Sequence, residues 1–366
     1  MPLSAVDPEN YKVLLEKKAL AVENLLAPFG PPGASIFPSS PTAYRMRAEF
    51  RVWHEGDELN YVMFRKGDPR TPVPIDNFPI GCERIQSLMP ELISLVKATE
   101  ELRKKLFQVE FLSTLAGDTL VTLIYHRKLD DQWQVQAEAL AHKLQIQLIG
   151  RSRKQKLVLE RDYVDETLTV HGRPYHYRQY EQAFTQPNAA VNSQMIEWAC
   201  DCAAHLDGDL LELYCGNGNF TLPLAGYFNE VIATELAKTS IKAARENLVA
   251  NSINNVQMIR LSAEEVTQAI RGERTFRRLA DLPRELADYD LRTVFVDPPR
   301  AGLDAHTEEM VSGFDTIIYI SCNPETLAGN LHSLCRSHRI ERFAMFDQFP
   351  YTDHMECGVL LKRKID

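Results

Sequence analysis

The chain has 366 residues, with 45% apolar and 25% charged residues, the profile of an ordinary soluble globular protein of two or at most three domains. No apolar run reaches the roughly 20 residues that a bilayer span requires. The net charge of −9 excludes a generic nucleic-acid coat, but the first 185 residues carry 24 Lys/Arg against 24 Asp/Glu, so the acidity belongs wholly to the remainder.

Met1 to Asn10 has neither the basic start nor the apolar core of a secretory signal. Residues 11 to 27 predict an amphipathic helix with Val13, Leu14, Leu20, Val22, Leu25 and Leu26 on its apolar side. Pro28, Pro31, Pro32, Pro38 and Pro41 then exclude regular helix and central strand. From Tyr44 the pattern alternates, setting Arg45, Arg47 and Arg51 on one strand face and Met46, Ala48, Phe50 and Val52 on the other. Aligned arginines suit a phosphate backbone; a solvated outer face is the alternative. Further strands are predicted at Leu59–Phe64, Phe107–Leu115, Thr119–Tyr125 and Lys156–Leu159, with helices at Ser87–Leu106 and Trp133–Leu144. Basic residues recur at Arg127-Lys128 and from Arg151 to Lys156, followed by Tyr175, His176, Tyr177 and Arg178. Charge interleaved with ring faces suits single-stranded or looped RNA. Residues 1–180 are therefore expected to be an α+β RNA-binding domain.

The texture changes near Phe184. Gln186-Pro187-Asn188 starts a helix through Trp198, and αβ units follow: strand Leu210–Tyr214, helix from Asn219, strand Val231–Thr234, helix Lys238–Asn251, strand Val256–Leu261. After a long variable segment come strands Thr293–Val296 and Thr316–Ile320, a helix from Pro324 and a last strand at Val359–Leu361. Strands alternating with helical stretches predict an α/β, doubly wound, mostly parallel sheet over residues 181–366.

Four turns of that sheet carry chemistry. Glu212-Leu213-Tyr214-Cys215-Gly216-Asn217-Gly218 feeds a strand into a helix through two glycines that let backbone approach a ligand. A dinucleotide fingerprint would put a third glycine where Thr221 stands, which disfavours NAD and FAD. Glu235, ending the next strand, can accept hydrogen bonds from a ribose diol, and the pairing resembles S-adenosylmethionine-dependent methyltransferases. Asp297-Pro298-Pro299 locks a turn with its carboxylate at a strand's carboxyl end, and Arg300 beside it can clamp a phosphate or carboxylate. Cys322 lies between strand Ile317–Ile320 and the helix from Pro324, where unpaired N–H groups and the helix dipole favour thiolate. A buried capping cysteine is the structural alternative. Glu356, just before the last strand, is expected to face the same cleft, or else to form an ordinary salt bridge.

Together, Gln186-Pro187-Asn188, Leu213 to Phe220, Asp297-Pro298-Pro299-Arg300-Ala301-Gly302, Ser321-Cys322-Asn323-Pro324 and His354-Met355-Glu356-Cys357 resemble the RNA uracil-C5-methyltransferase family. Tyr44 to Phe50 resembles its branch that makes 5-methyluridine in the T-arm of tRNA. The resemblance implies S-adenosylmethionine as methyl donor, held by Gln186, Tyr214, Asn219, Glu235 and Asp297. It implies Cys322 as nucleophile and Glu356 as general base. Ribosomal-RNA relatives hold an iron–sulfur cluster on four cysteines; before residue 200 this chain has only Cys82, so neither cluster nor metal is expected. Thiolate addition to uracil C6 makes C5 nucleophilic, and a base must then take the C5 proton. The target base must also leave its stack, at a cost of a few kcal/mol, and Arg45, Arg47, Arg51, Phe107 and Arg300 are the candidate RNA contacts. Seven scattered cysteines suit a reducing compartment, the cytoplasm. No membrane and no obligatory protein partner is expected. Two rival readings remain: an exocyclic-amine methyltransferase built on Asp297-Pro298-Pro299, and an RNA-binding or RNA-folding module on a methyltransferase scaffold.

Overall fold

The computed structural model describes residues 6–56, 58–65 and 67–365, so half of the Met1–Asn10 segment lies outside the described residues. In chain order, helix α1 (Tyr11–Leu26) precedes strands β1 (Ser35–Phe37), β2 (Arg47–Glu55), β3 (Glu58–Arg65) and β4 (Asp68–Ile75). Helices α2 (Glu83–Ala98) and α3 (Glu100–Arg103) lead to β5 (Leu106–Ser113) and β6 (Thr119–Tyr125). Next come α4 (Asp131–Leu144), β7 (Gln147–Ser152), β8 (Gln155–Val158) and the two strands β9 (Tyr163–Val170) and β10 (Arg173–Tyr180). The second half runs α5 (Ala189–Ala203), β11 (Asp209–Leu213), α6 (Thr221–Leu224), β12 (Val231–Thr234), α7 (Lys238–Ala250), β13 (Val256–Ile259) and α8 (Ala263–Ile270). It ends with β14 (Leu291–Val296), α9 (Ala305–Val311), β15 (Thr316–Ser321), α10 (Pro324–Ser337), β16 (His338–Phe346) and β17 (Glu356–Arg363).

Two compact units share the chain in alternating segments. One takes Met1–Tyr11, Ser40–Thr167 and Arg178–Ala189, and the other takes Lys12–Ser39, Leu168–Tyr177 and Ala190–Asp366. A single boundary near residue 180 is therefore too simple for the compact units. Helix α1 and β1 go with the second, because β1 pairs in parallel with β16.

The first unit is built on a seven-stranded sheet of order β4-β3-β2-β5-β6-β7-β8, antiparallel except at β6–β7. Ala48, Phe50 and Val52 of β2 are buried while Glu49 and Arg51 face out, as the alternation predicts. Gly150 has a packing reason: a Cβ there would lie 2.3 Å from the fully buried Trp133 ring. The helix expected at Ser87–Leu106 starts earlier and breaks at Thr99, whose extended backbone separates α2 from α3.

The second unit carries an eight-stranded sheet of order β1-β16-β17-β15-β14-β11-β12-β13. From β11 the chain moves outward through β12 and β13, then returns to β14 and β15 on the other side. The direction of winding thus reverses between β11 and β14, where α/β sheets open a crevice for ligands. Strand β17 runs antiparallel between β15 and β16, so its first residue, not its last, lies at that crevice edge. Helix α1 turns a different face inward from the one expected. Tyr11, Leu15, Ala19, Val22 and Leu26 are buried, whereas Val13, Leu14, Leu20 and Leu25 are exposed. The buried set follows steps of three and four residues, the true helical stripe.

Candidate active site

Four neighbouring strands bring the predicted turns together. The Tyr214 turn follows β11, Asp297 follows β14, Cys322 follows β15, and Glu356 opens β17. These strands are hydrogen-bonded neighbours in that order. In the β15–β17 register Ser321 faces Cys357. Continued by one residue, it sets Cys322 across from Glu356, the separation at which cross-strand side chains meet.

The glycine turn divides its labour. Gly218 (φ +87°) is crowded, since a Cβ would lie 2.5 Å from Leu222, whereas a Cβ at Gly216 (φ +57°) would meet nothing within 4 Å. Gly216 thus opens toward free space where a ligand can approach. Tyr214 has φ +60°, a strained backbone for a bulky residue and of the kind that collects at functional sites. Glu235 accepts from the backbone N–H groups of Leu236 and Ala237 at 2.7 Å through one oxygen and of Gly216 at 3.1 Å through the other. The second oxygen keeps acceptor capacity for a ribose diol. Asn219 is locked by a reciprocal amide pair with Asn192 at 2.8 and 2.9 Å, and its carbonyl accepts from the Tyr177 hydroxyl at 3.0 Å. This cradle fits the methyl donor that the resemblance implies. Gln186 belongs to the other unit, where its Oε1 is buried with no hydrogen-bond partner.

The Asp297 loop is fastened to α10, the helix that follows Cys322. The Arg300 carbonyl accepts from the Asn323 amide at 3.3 Å and the Thr326 hydroxyl at 3.2 Å. Deeper on α10, the buried Asn330 Oδ1 accepts from Leu303 N at 3.1 Å and the Tyr319 hydroxyl at 2.9 Å, while its amide donates to the Leu303 carbonyl and Glu308. Gly302 (φ +77°) makes room, because a Cβ would sit 2.7 Å from that Oδ1. The sequence alone gave no signal for Asn330 or Asn192 as supports.

Electrostatics distinguish this cluster from a packing motif. Glu356 is buried, its Oε2 has no hydrogen-bond partner, and burial followed by the charge of Asp297 pushes its carboxyl up to about 8. Burial alone lifts partly exposed Asp297 to about 7. Burial lifts Glu212 on β11 to about 8 against the pull of the Thr221 hydroxyl beside it, with Asp297 adding to the rise. Cys322 is half-buried, and burial with the charges of Glu356 and Asp297 raises its thiol to about 11. The α10 dipole is worth about 0.3–1 kcal/mol, less than one pKa unit, so burial and the carboxylates prevail. The turn's pull toward thiolate is thus too weak by itself, and Cys322 needs another group to activate it. Arg300 alone among its charged neighbours pulls the thiol the other way.

Four of the expected RNA contacts lie in the first unit and Arg300 in the second. Arg45 Nε donates to the Arg47 carbonyl at 2.8 Å, and Arg47 donates to the carbonyls of Ala183 and Glu181 at 2.8 and 2.6 Å, so both are partly engaged in holding backbone. Arg51 lies over the Phe107 ring at 3.8 Å, and Phe107 stacks on His126 with centroids 3.9 Å apart. A concavity of about 780 Å³ beside Phe107 is lined by His126, Arg127, Lys128, Arg151 and Arg153. Arg300 is exposed.

Known proteins resemble the whole chain. A family model described as tRNA (Uracil-5-)-methyltransferase matches residues 10–364. The tRNA/tmRNA (uracil-C(5))-methyltransferase of Saccharophagus degradans is 54% identical over 363 residues, covering 99% of each chain. The protein of the same name from Stutzerimonas stutzeri is 54% identical over 364 residues, covering 100% of both. The crystal structure of Pyrococcus abyssi tRNA (uracil-54, C5)-methyltransferase in complex with S-adenosyl-L-homocysteine superposes with a TM-score of 0.70 at 21% identity, over 96% of this chain and 83% of that one. That likeness establishes the fold.

Proposed function

The chain belongs to the tRNA (uracil-5-)-methyltransferase family, and from that premise we propose that it methylates C5 of the T-loop uridine, position 54 of tRNA, through a covalent adduct on Cys322. It is an S-adenosylmethionine-dependent tRNA uracil-C5-methyltransferase. One observation supports the covalent route: Cys322, Asp297 and Glu356 sit at adjoining strand ends, where Asp297 raises Glu356 and both carboxylates raise Cys322.

S-adenosylmethionine supplies an electrophilic methyl group on a sulfonium. Cys322 Sγ, as thiolate, adds to uracil C6, and the C5–C6 π electrons pass to an enolate. C5 takes the methyl group as the donor sulfur leaves as a neutral thioether. The Glu356 carboxylate then removes the C5 proton, the double bond re-forms, and the thiolate departs. Asp297 raises Glu356, and both carboxylates raise Cys322, so positive charge bound beside them makes Glu356 and Cys322 more acidic. Gln186, Tyr214, Asn219, Glu235 and Asp297 hold the donor in this scheme. In this scheme the first unit, built mostly from residues before 180, binds RNA, and the second, which adds Lys12–Ser39 and Leu168–Tyr177 to Ala190–Asp366, transfers the methyl group. Arg45, Arg47, Arg51, Phe107 and Arg300 meet the T-arm. No described helix is long and apolar enough to cross a membrane, and seven free cysteines suit a cytoplasmic setting.

Labelled S-adenosylmethionine and unmodified tRNA, followed by nuclease digestion and mass spectrometry, test the product. The expected methyl lies on C5 of the T-loop uridine; a methyl on an exocyclic amine would overturn the scheme. Cys322→Ala is expected to abolish transfer while the donor still binds, and wild-type turnover in that variant would refute the nucleophile.

A further inference from the structure

We propose that Lys18, on helix α1, is a positioning residue for Glu356: it clamps the loop that delivers this carboxylate to Cys322. The inference rests on Glu356 as the general base.

The loop joins the end of β16 at Phe346 to the start of β17 at Glu356. The Lys18 side chain is 10% exposed, and its Nζ forms an ion pair with the 1%-exposed Asp347. The same Nζ donates to the carbonyls of Phe349 at 3.2 Å and His354 at 2.7 Å. An ammonium has three hydrogens, so its donors are fully used within one short loop. The two carbonyls bracket the tight part of that loop. There the Thr352 hydroxyl donates to the Phe349 carbonyl at 2.8 Å, His354 N donates to Thr352 Oγ1 at 3.2 Å, and Tyr351 has φ +62°. A left-handed tyrosine persists only when its surroundings over-determine it.

Glu356 lies two residues beyond His354. Its Oε2 has no hydrogen-bond partner, so the backbone on either side must aim the carboxyl. On the β17 side that backbone is fixed by the β15 and β16 ladders, and on the loop side by Lys18. A buried ion pair seldom stabilises more than apolar residues of the same volume, so stability alone gives little reason for a lysine here. Three directed bonds into one loop give a geometric reason.

The test uses Lys18→Met and the double variant Lys18→Met/Asp347→Leu, which removes both charges and leaves no unpaired buried ion. Thermal stability, S-adenosylmethionine binding, kcat, KM and the denaturant-resistant RNA adduct are measured on the full chain beside Glu356→Gln. The double variant is expected to fold, bind the donor and form the adduct like the parent. Its kcat should fall about tenfold to a hundredfold with KM little changed, and the adduct should accumulate, since a misplacement of about 1 Å costs rate on this scale. Wild-type kcat in the double variant would overturn the proposal. So would an equal loss of donor binding, adduct formation and turnover, which marks a merely structural lysine. If Glu356→Gln accumulates adduct and the Lys18 variants do not, the positioning role alone fails; if Glu356→Gln accumulates none, the base assignment fails and takes this inference with it.

Discussion

Glu181 in the first unit and Glu356 in the second are each 3% exposed, yet they stand at opposite ends of carboxylate behaviour. Burial raises Glu181, but Arg151 at 2.7 Å and Lys156 at 3.1 Å more than offset this and leave its pKa below the ordinary value. Glu356 has Asp297 for its charged neighbour instead of a cation, and it rises. Two further acids of the first unit are paired in the same way, Asp118 with Arg161 and Asp162 with Lys156. The second leaves Glu212, Asp297 and Glu356 to share one crevice, with burial setting their acidity. Equal burial with unequal pairing separates a carboxylate locked in ion pairs from one whose acidity suits the proton transfer proposed for it.

The sharpest way to break this contrast is Glu356→Gln. General-base catalysis contributes about 10²–10⁴-fold, so turnover should fall on that scale while a denaturant-resistant RNA adduct builds up on Cys322. A gel without that adduct would count against the assignment. Asp297→Asn comes next. Loss of a charged acceptor is worth about 1.5–3 kcal/mol, so the dissociation constant for S-adenosylmethionine, read by calorimetry, should rise about tenfold to a hundredfold. On the structural side, Arg151→Met should cost about 1–2 kcal/mol in urea unfolding, because Lys156 and Thr122 still hold Glu181. Turnover per folded molecule should not change, and a selective loss of kcat would blur the distinction.

Glu166 sharpens the same rule from the other side. It is buried in the first unit with backbone donors Leu115 and Thr167 and is raised to about 7, chiefly by burial. The folded chain therefore keeps a proton that the unfolded chain releases near pH 4.5. Stability from this group is complete below that pH and is lost as pH rises toward 7, at about 1 kcal/mol per unit. Glu166→Gln should flatten that slope in denaturant titrations without touching methyl transfer. A raised carboxyl marks a reaction site only where other reactive groups converge on it.

Much of this was legible in the residues. The apolar runs at Leu210, Val231, Thr293 and Thr316 are strands because a sheet covered on both faces needs continuous apolar segments, and each ends at a turn with its own chemical signature. What escaped did so for physical reasons. Strand β4 contains Pro69, Pro72 and Pro74, which read as loop and are tolerated because it is an edge strand. Strand β1, three residues among prolines, is likewise an edge whose partner lies 309 positions on, as Ser35 faces Ala344. The buried stripe of α1 includes small Ala19 and aromatic Tyr11, which a search for large aliphatics passes over. The rise of the Cys322 thiol comes from its burial and then from carboxylates on two other strands, and no local pattern contains them.

The Asn330 hub has a mechanical consequence. Through it, and through Asn323 and Thr326, α10 and the Asp297 loop are welded into one body. Sliding the helix would carry both walls of the crevice together, so the gap between sulfur and loop cannot be tuned by moving α10. In the proposed scheme, adjustment would fall to rotation about the Cys322 side chain and to the travel of the incoming base.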